Sequence, residues 1–159
     1  MYRSAVKKTA QGPHGCAHDE RDVAAGLVQL TALVQGSYAR ISERHDLTPV
    51  QAKLLCVLLD GPRGLAELAQ YFGVEKAALT GLMDRAERRG LAERAAVPGD
   101  RRALQATLTD AGRQAAIAFY TEVRAEMDGL VAALAPEERE QFGRAMSQII
   151  TACRRPAGP

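Results

Sequence analysis

Apolar residues at helical spacing mark both ends of this 159-residue chain. In the N-terminal part they recur every three or four residues over positions 23–41, on a helix that we expect to begin at Asp19. A second long helix is predicted over 109–134, with Thr109 as its N-cap, and a last helix begins at Pro136. Each carries a narrow apolar stripe with no further domain in the sequence to cover it. The pattern therefore predicts helices that pack against a second copy of the chain.

The middle of the chain predicts a helix-turn-helix. Thr48-Pro49-Val50-Gln51 combines an N-cap residue, a first-turn proline and a glutamine that can complete a capping box. The helix that begins there is apolar almost all round and stops at Gly61-Pro62. Two shorter helices follow, over 65–72 and 75–89, with Gly73 in the turn between them. We expect the first of these three helices to be central to the fold.

A hairpin follows the second of the two shorter helices. Leu104, Ala106 and Leu108 alternate with polar residues, which predicts a half-buried strand. This strand and a shorter preceding one flank a turn at Pro98-Gly99-Asp100, and the tip carries Arg101-Arg102. A basic tip of this kind suits contact with DNA phosphates or with a narrow groove.

Together these elements predict a mainly α fold with a small β-hairpin wing. The arrangement is a winged helix-turn-helix module flanked by long N- and C-terminal dimerisation helices. The expected boundaries are a flexible N-terminal tail over 1–18, an N-terminal dimerisation helix over 19–47, the winged module over 48–109, C-terminal dimerisation helices over 110–155 and a tail over 156–159.

The composition limits where a nucleic acid can bind. The formal net charge is only +2, with 47% hydrophobic and 25% charged residues, which is typical of a globular domain rather than a polycation. Any nucleic-acid site must therefore be a local basic patch. No apolar run approaches the roughly 18 residues of a membrane span, and the basic N-terminus lacks the apolar core of a signal peptide. Three unevenly spaced cysteines favour the reducing cytoplasm over a disulfide framework.

Several motifs occur in one order between Leu47 and Gly112. They are Leu47-Thr48-Pro49-x-Gln51, Leu65-Ala66-x-Leu68-Ala69 and Leu79-Thr80-x-Leu82-x-Asp84-Arg85-x-Glu87-x-x-Gly90-Leu91. The hairpin adds the pattern Asp-x-Arg-x5-Leu-Thr at Asp100, Arg102, Leu108 and Thr109. In this combination the sequence resembles the MarR (multiple antibiotic resistance regulator) family of winged-helix transcription factors.

The resemblance implies a homodimer that binds double-stranded DNA and needs no cofactor. Each subunit would present one recognition helix to the major groove and one wing to the adjacent minor groove. Two-fold symmetry then predicts a pseudo-palindromic operator with half-sites about 10 bp apart. Members of this family are more often repressors, and many respond to small aromatic or phenolic effectors.

Candidate DNA-binding residues lie in the second shorter helix and at the wing. They are Lys76, Ala77, Thr80, Gly81, Arg85, Arg88, Asp100, Arg101 and Arg102. Alanine and glycine cannot hydrogen-bond a base edge, so we expect few direct base contacts from the helix and more discrimination from the wing. Glu75 would repel phosphate unless it caps the helix or accepts from a cytosine amine. Arg85 follows Asp84, so a structural ion pair is the alternative to a DNA contact.

The resemblance also suggests a division of roles at the wing and a place for an effector. Arg102 would pair with Asp100 and stiffen the tip while facing DNA, and Arg101 would be the freer minor-groove probe. Candidate effector-pocket residues are Tyr38, Ile41, His45 and Cys56, where the first two helices approach the winged module. Plain core packing is the alternative for each of them.

Other chemistry finds little support in the sequence. His14, Cys16 and His18 lie close together, but a closed zinc site needs a fourth ligand, so we expect no metal site. A redox-sensing thiol remains an alternative, as does a winged-helix module that binds proteins instead of DNA. The chain shows no nucleophile–base pair, phosphate loop or paired carboxylates, and we therefore expect no enzymatic activity.

Overall fold

The structure, a computed structural model, describes residues 22–97 and 99–154, with residues 100–102 and 154 described by their backbone alone. The elements in chain order are α1 (Val23–Arg44), α2 (Pro49–Leu59), β1 (Arg63–Gly64), α3 (Leu65–Phe72), α4 (Lys76–Arg88), β2 (Ala92–Val97), β3 (Asp100–Leu108), α5 (Asp110–Leu130) and α6 (Pro136–Arg154). In these residues the predicted fold class is confirmed: the chain is mainly α with a small antiparallel sheet of order β1-β3-β2.

The chain divides into two units, Met1–Leu33 and Val34–Pro159. In the first unit, α1 begins at Val23 because the carboxylate of Asp22 accepts a hydrogen bond of 2.9 Å from the backbone N–H of Ala24. The predicted start at Asp19 lies outside the described residues. Val23 and Leu27, from the predicted apolar stripe, are both exposed in this unit.

Local capping signals determine where two helices of the second unit begin. Thr48 accepts a hydrogen bond from the N–H of Gln51, and the Gln51 side chain accepts one from the N–H of Thr48, which is the predicted capping box of α2. Thr109 caps α5 in the same way by accepting from the N–H of Gly112 at 3.0 Å. The helix α6 begins at Pro136, as predicted.

The end of α5 differs from the prediction. The helix stops at Leu130 instead of reaching residue 134. After Gly129 the backbone tightens, because Ala132 donates to Gly129 and Leu134 donates to Val131, which are bonds between residues three apart. A turn therefore separates α5 from α6.

The core of the second unit is built around α2. The largest fully buried side chains are Ile41, Leu54, Leu55, Leu58, Leu68, Leu79, Met83 and Phe119. They come from α1, α2, α3, α4 and α5 and belong to one contiguous cluster. The predicted central position of α2 is confirmed, because Ala52, Leu54, Leu55 and Leu58 are buried in this cluster and the helix contacts both α5 and β3.

The sheet shows two features that the pattern did not predict. The two-residue strand β1 pairs with the middle of β3, with Arg63 opposite Ala106 and Gly64 opposite Gln105. Leu104 was expected to be half-buried with Ala106 and Leu108, but it is 46% exposed. The alternation is correct, but the hairpin begins to leave the core between Ala106 and its tip, so Leu104 is only partly covered.

Candidate nucleic-acid interface

The helix α4 has one buried face and one exposed face. Leu79, Leu82, Met83 and Ala86 point into the core. The candidate DNA-contacting side chains lie on the remaining surface: Lys76, Ala77, Thr80, Arg85 and Arg88 are exposed, and Gly81 is half-exposed. The structure therefore brings all six helix candidates to the solvent-facing side of one element. Such a surface is free to enter a groove.

Two polar residues at the start of α4 differ in how their side chains contact the backbone. Glu75 occupies the N-cap position in an extended conformation, but its carboxylate makes no capping hydrogen bond in the part of the chain that is described. The hydroxyl of Thr80 donates to the carbonyl of Lys76 at 2.9 Å. This bond uses the only hydroxyl hydrogen of Thr80, which leaves its oxygen as an acceptor towards DNA.

Arg94 on β2 joins the hairpin to α4, and sequence reasoning missed it. Its guanidinium lies 2.7 Å from Asp84, pairs with Glu87 and donates to the carbonyl of Thr80 at 3.1 Å. Its backbone N–H donates to Glu87 at 2.9 Å. With a side chain only 21% exposed, Arg94 fixes the base of the hairpin against α4. No periodic pattern marks such a residue, because its partners lie on another element.

This arrangement changes the interpretation of Arg85. The carboxylate of Asp84 pairs with Arg94 rather than with Arg85. Among the described side chains, no carboxylate oxygen lies within 4.0 Å of the Arg85 guanidinium. The predicted alternative of an ion pair between these neighbours is therefore wrong, and Arg85 stays available to an external partner.

The C-terminal end of α4 is anchored to the turn between α1 and α2. Arg89 pairs with the carboxylate of Asp46 at 3.0 Å and also donates to its carbonyl. Asp46 adopts a left-handed conformation with φ of 54°, which aspartate tolerates better than most residues. The middle and the C-terminal end of α4 are thus connected to neighbouring elements.

The hairpin is regular near the core and irregular towards its tip. From Ala92 opposite Leu108 to Ala96 opposite Leu104 the pairing is continuous, and it then jumps to Val97 opposite Asp100. The side chains of the candidate wing residues Asp100, Arg101 and Arg102 lie outside the described part. Their backbone belongs to the segment that this register shift spans. A shift of this kind increases local twist and re-aims side chains.

The base of the hairpin is closely packed against the start of α5. The hydroxyl of Thr109 donates to the carbonyl of Gly90 at 2.6 Å. A Cβ added at Gly112 would lie 1.7 Å from the carbonyl oxygen of Leu91. Only glycine fits at this close approach of two backbones.

Two of the four predicted effector-pocket residues, Tyr38 and His45, pack against Phe119 of α5. Ile41 is fully buried, and the rings of Tyr38 and His45 pack edge-on against Phe119, with centroids 4.9 and 5.7 Å away. His45 Nε2 lies 2.6 Å from a carboxylate oxygen of Glu122. Phe119 was missed because α5 was predicted as a long helix without a defined buried face. The role of these residues in binding an effector stays a prediction.

The titration of three of these side chains reflects their surroundings. Burial raises the pKa of the Tyr38 hydroxyl, and the adjacent Cys56 raises it further. Burial also raises the pKa of the Cys56 thiol, although its hydrogen bond with Tyr38 acts in the opposite direction. The hydrogen bond from His45 lowers the pKa of Glu122, with a smaller contribution from Arg44. A buried, protonated thiol is a poor nucleophile, so Cys56 does not favour redox sensing.

A cavity of about 580 Å³ lies between the hairpin and the helix-turn-helix. Its wall includes Leu65, Ala66, Ala69, Lys76, Val97 and Leu104. None of the four predicted effector-pocket residues lines this cavity. The described residues hold no group of three His, Cys, Asp or Glu side chains that could hold a metal ion, and His14, Cys16 and His18 lie outside them. No helix in the described ranges is long and apolar enough to cross a membrane.

Apolar side chains remain exposed on the two C-terminal helices. Ile117 and Tyr120 on α5 are each about half-exposed, as are Ile149 and Ile150 on α6. The latter two belong to the predicted apolar side of α6. Exposed apolar faces of this kind mark surfaces that bind another molecule.

Comparison with known proteins finds a family match in the middle of the chain. Residues 45–103 match the family model described as the MarR family. The chain is 39% identical over 68 residues to the HTH-type transcriptional repressor NicR of Pseudomonas putida, a match that covers 42% of this chain and 43% of that repressor. It thus spans less than half the length of NicR.

Two longer matches extend this comparison beyond the winged module. The homoprotocatechuate degradative operon repressor of Escherichia coli is 26% identical over 134 residues, covering 84% of this chain and 89% of that protein. The solved structure of RV1404 from Mycobacterium tuberculosis is 27% identical, covers 88% of this chain and 98% of that one, and superposes with a TM-score of 0.69. The similarity therefore includes the flanking helices.

Proposed function

This chain belongs to the MarR family, and from that premise we propose that it is a homodimeric, sequence-specific transcriptional repressor released by a small aromatic effector. In the proposed complex, α4 of each subunit enters the major groove and the hairpin contacts the adjacent minor groove. The operator is then a pseudo-palindrome with half-site centres about 10 bp apart.

The exposed face of α4, fixed beside a hairpin, is the observation that carries the proposal. Lys76, Arg85 and Arg88 are exposed along it, and Arg94 holds this helix and the wing base in one relative position. Binding needs such a preorganised surface, because any reordering of the helix would cost affinity. The Pseudomonas putida and Escherichia coli relatives are both named as repressors, which supports repression over activation.

Dimerisation is supported by the apolar faces of α5 and α6. Side chains such as Ile149 and Ile150 are about half-exposed in a single copy. Covering them with the same surface of a second copy would remove apolar area from water. The resulting two-fold axis would present two recognition helices to one face of the duplex.

Control by an aromatic effector is supported by the name of one relative. The Escherichia coli protein is named as the repressor of an operon that degrades homoprotocatechuate, an aromatic acid. For this chain we propose effectors of the same chemical class. They would act by binding one state of the dimer better than the other.

Selection of bound sequences from a random duplex pool tests the proposal. We expect a two-fold symmetric site bound at least ~10³-fold more tightly than random DNA, and weaker binding when an aromatic acid is added. Arg101→Ala and Arg102→Ala should each reduce the slope of log K against log salt by about 1. Arg144→Ala is the matched control, because that side chain lies on α6 and pairs with Glu140.

Three outcomes would contradict parts of this proposal. Equal binding to the selected site and to random DNA would favour the protein-binding module over the regulator. Unchanged affinity and salt slope in both wing variants would refute DNA contact by the wing while leaving α4 in place. An unaltered affinity in the presence of a panel of aromatic acids would remove the effector from the proposal.

A further inference from the structure

Gly81 and Arg85 are neighbours on the exposed face of α4, one helical turn apart. A Cβ built at Gly81 would lie 3.5 Å from a guanidinium nitrogen of Arg85. The Arg85 side chain therefore runs back along the helix and places its charged end over Gly81. This direction is the usual one for long helical side chains, which point towards the N-terminus.

The absence of a side chain at position 81 makes this position available to Arg85. Ala77 precedes it by one turn and offers only a methyl group. Thr80 has its hydroxyl hydrogen bonded to the carbonyl of Lys76. The hydrogen-bond donors over the middle of the exposed face therefore come from Arg85.

The charge of Arg85 is not neutralised by its sequence neighbour. Asp84 faces Arg94, which also pairs with Glu87. Among the described residues, both acidic side chains of the second half of α4 are thus engaged by a residue of the hairpin. Arg94 acts here as a positioning residue that keeps Asp84 away from Arg85.

A guanidinium at this place has a specific chemical preference. Recognition helices contact base edges through their N-terminal part, and Arg85 is carried one turn in that direction by lying over Gly81. Its planar fork matches the O6 and N7 acceptors of guanine in the major groove. We propose that Arg85 reads a guanine in each half-site, with Gly81 as the position that permits it. This inference rests on the proposed function.

The test measures base preference rather than affinity alone, using the full chain and the site selected by wild type. Wild type should prefer G·C at one position of each half-site. Arg85→Ala should lower that preference by about tenfold to a hundredfold. Arg85→Lys should retain much of the binding to random DNA but only part of the preference, because it keeps the charge without the fork.

Substitutions at Gly81 test the place of the Arg85 guanidinium without removing its charge. Gly81→Ala should keep the preference, because 3.5 Å is an ordinary van der Waals contact for the new Cβ. Gly81→Leu should lose it, because the longer side chain occupies the place of the guanidinium. Arg88→Ala is the matched control and should weaken all duplexes equally. Thermal unfolding of each variant confirms the fold, which these exposed positions leave intact.

The outcomes distinguish the inference from the function on which it rests. If wild type selects a symmetric site but Arg85→Ala weakens every duplex equally, Arg85 contacts phosphate and the inference is wrong while the regulator stands. If Gly81→Leu keeps the guanine preference, the proposed place of the guanidinium is wrong. If wild type selects no site at all, both the inference and the proposed function fail.

Discussion

Replacing Gly112 by alanine tests how closely α5 is fixed against the base of the hairpin. The added Cβ would lie 1.7 Å from the Leu91 carbonyl oxygen and 2.6 Å from its carbon. Because Cβ contacts below 3.0 Å are essentially never seen, the two backbones must separate by at least 1.3 Å, the difference between 3.0 and 1.7 Å. The obstacle is backbone, so no rotamer change can relieve it.

The expected cost follows from two opposing effects. Overpacking in a closely packed site costs about 1–3 kcal/mol, and here the upper part of that range applies because Thr109 also bonds to Gly90 at this junction. Alanine regains up to about 1 kcal/mol as a better helix former than glycine. We therefore expect the free energy of unfolding to fall by about 2 kcal/mol and Tm by about 4–8 °C.

Urea unfolding at a fixed protein concentration measures this change, because the proposed dimerisation would make stability depend on concentration. Gly129→Ala is the matched control on the same helix, since a Cβ there meets nothing within 4 Å. That variant should be as stable as wild type or slightly more so. Equal stabilities of the Gly112 and Gly129 variants would refute the close approach of α5 to Leu91.

Two further predictions concern ionic contacts. Arg94→Ala should lower the free energy of unfolding by about 1–2 kcal/mol and weaken DNA binding, because it leaves the carboxylates of Asp84 and Glu87 on α4 unpaired. The control is Arg144→Ala. Its pair with Glu140 is exposed, so the free energy of unfolding should change by less than about 0.5 kcal/mol. Equal effects in denaturant titrations would contradict the linking role of Arg94. Glu122→Gln should destabilise the chain at pH 7, and the difference from wild type should begin to shrink as the pH falls below about 4.5, the ordinary pKa of the group, and vanish once the pH is below its lowered pKa in the folded chain. The ionised Glu122 carboxylate stabilises the folded chain, and this stabilisation is lost when the carboxylate is protonated. A difference between the two proteins that persists in acid would therefore contradict a stabilising contact of the ionised carboxylate with His45.

Local signals predicted the starts of α2, α5 and α6 well. The cap and proline at Thr48 and Pro49, and the cap at Thr109, act within one turn of sequence, so they can be recognised without knowledge of the fold. The alternation of β3 likewise predicted Ala106 and Leu108 as inward residues. It could not show where the hairpin leaves the core, and Leu104 was misplaced for that reason.

The features that sequence reasoning missed depend on contacts between distant elements. Arg94 resembles any surface arginine until the hairpin brings it to Asp84, ten residues earlier. The strand β1 consists of two residues whose extended form is stabilised by pairing with β3, so it has no pattern of its own. For the candidate site, the sequence correctly placed the polar residues of α4 on one face. It could not show that the Arg85 guanidinium lies over Gly81, because that depends on the conformation of a long side chain.

The register shift between Ala96 and Val97 divides the hairpin into two mechanically distinct parts. The inner part is fixed from both sides, because β3 lies between β1 and β2. The direction of the outer part depends on the local twist between Ala96 and Val97, where the strand pairing shifts. Insertion or deletion of one residue at that step would turn the tip relative to α4 without moving any core side chain. In the proposed complex with DNA, the hairpin would therefore be able to acquire a new groove preference during evolution while the stability of the module is preserved.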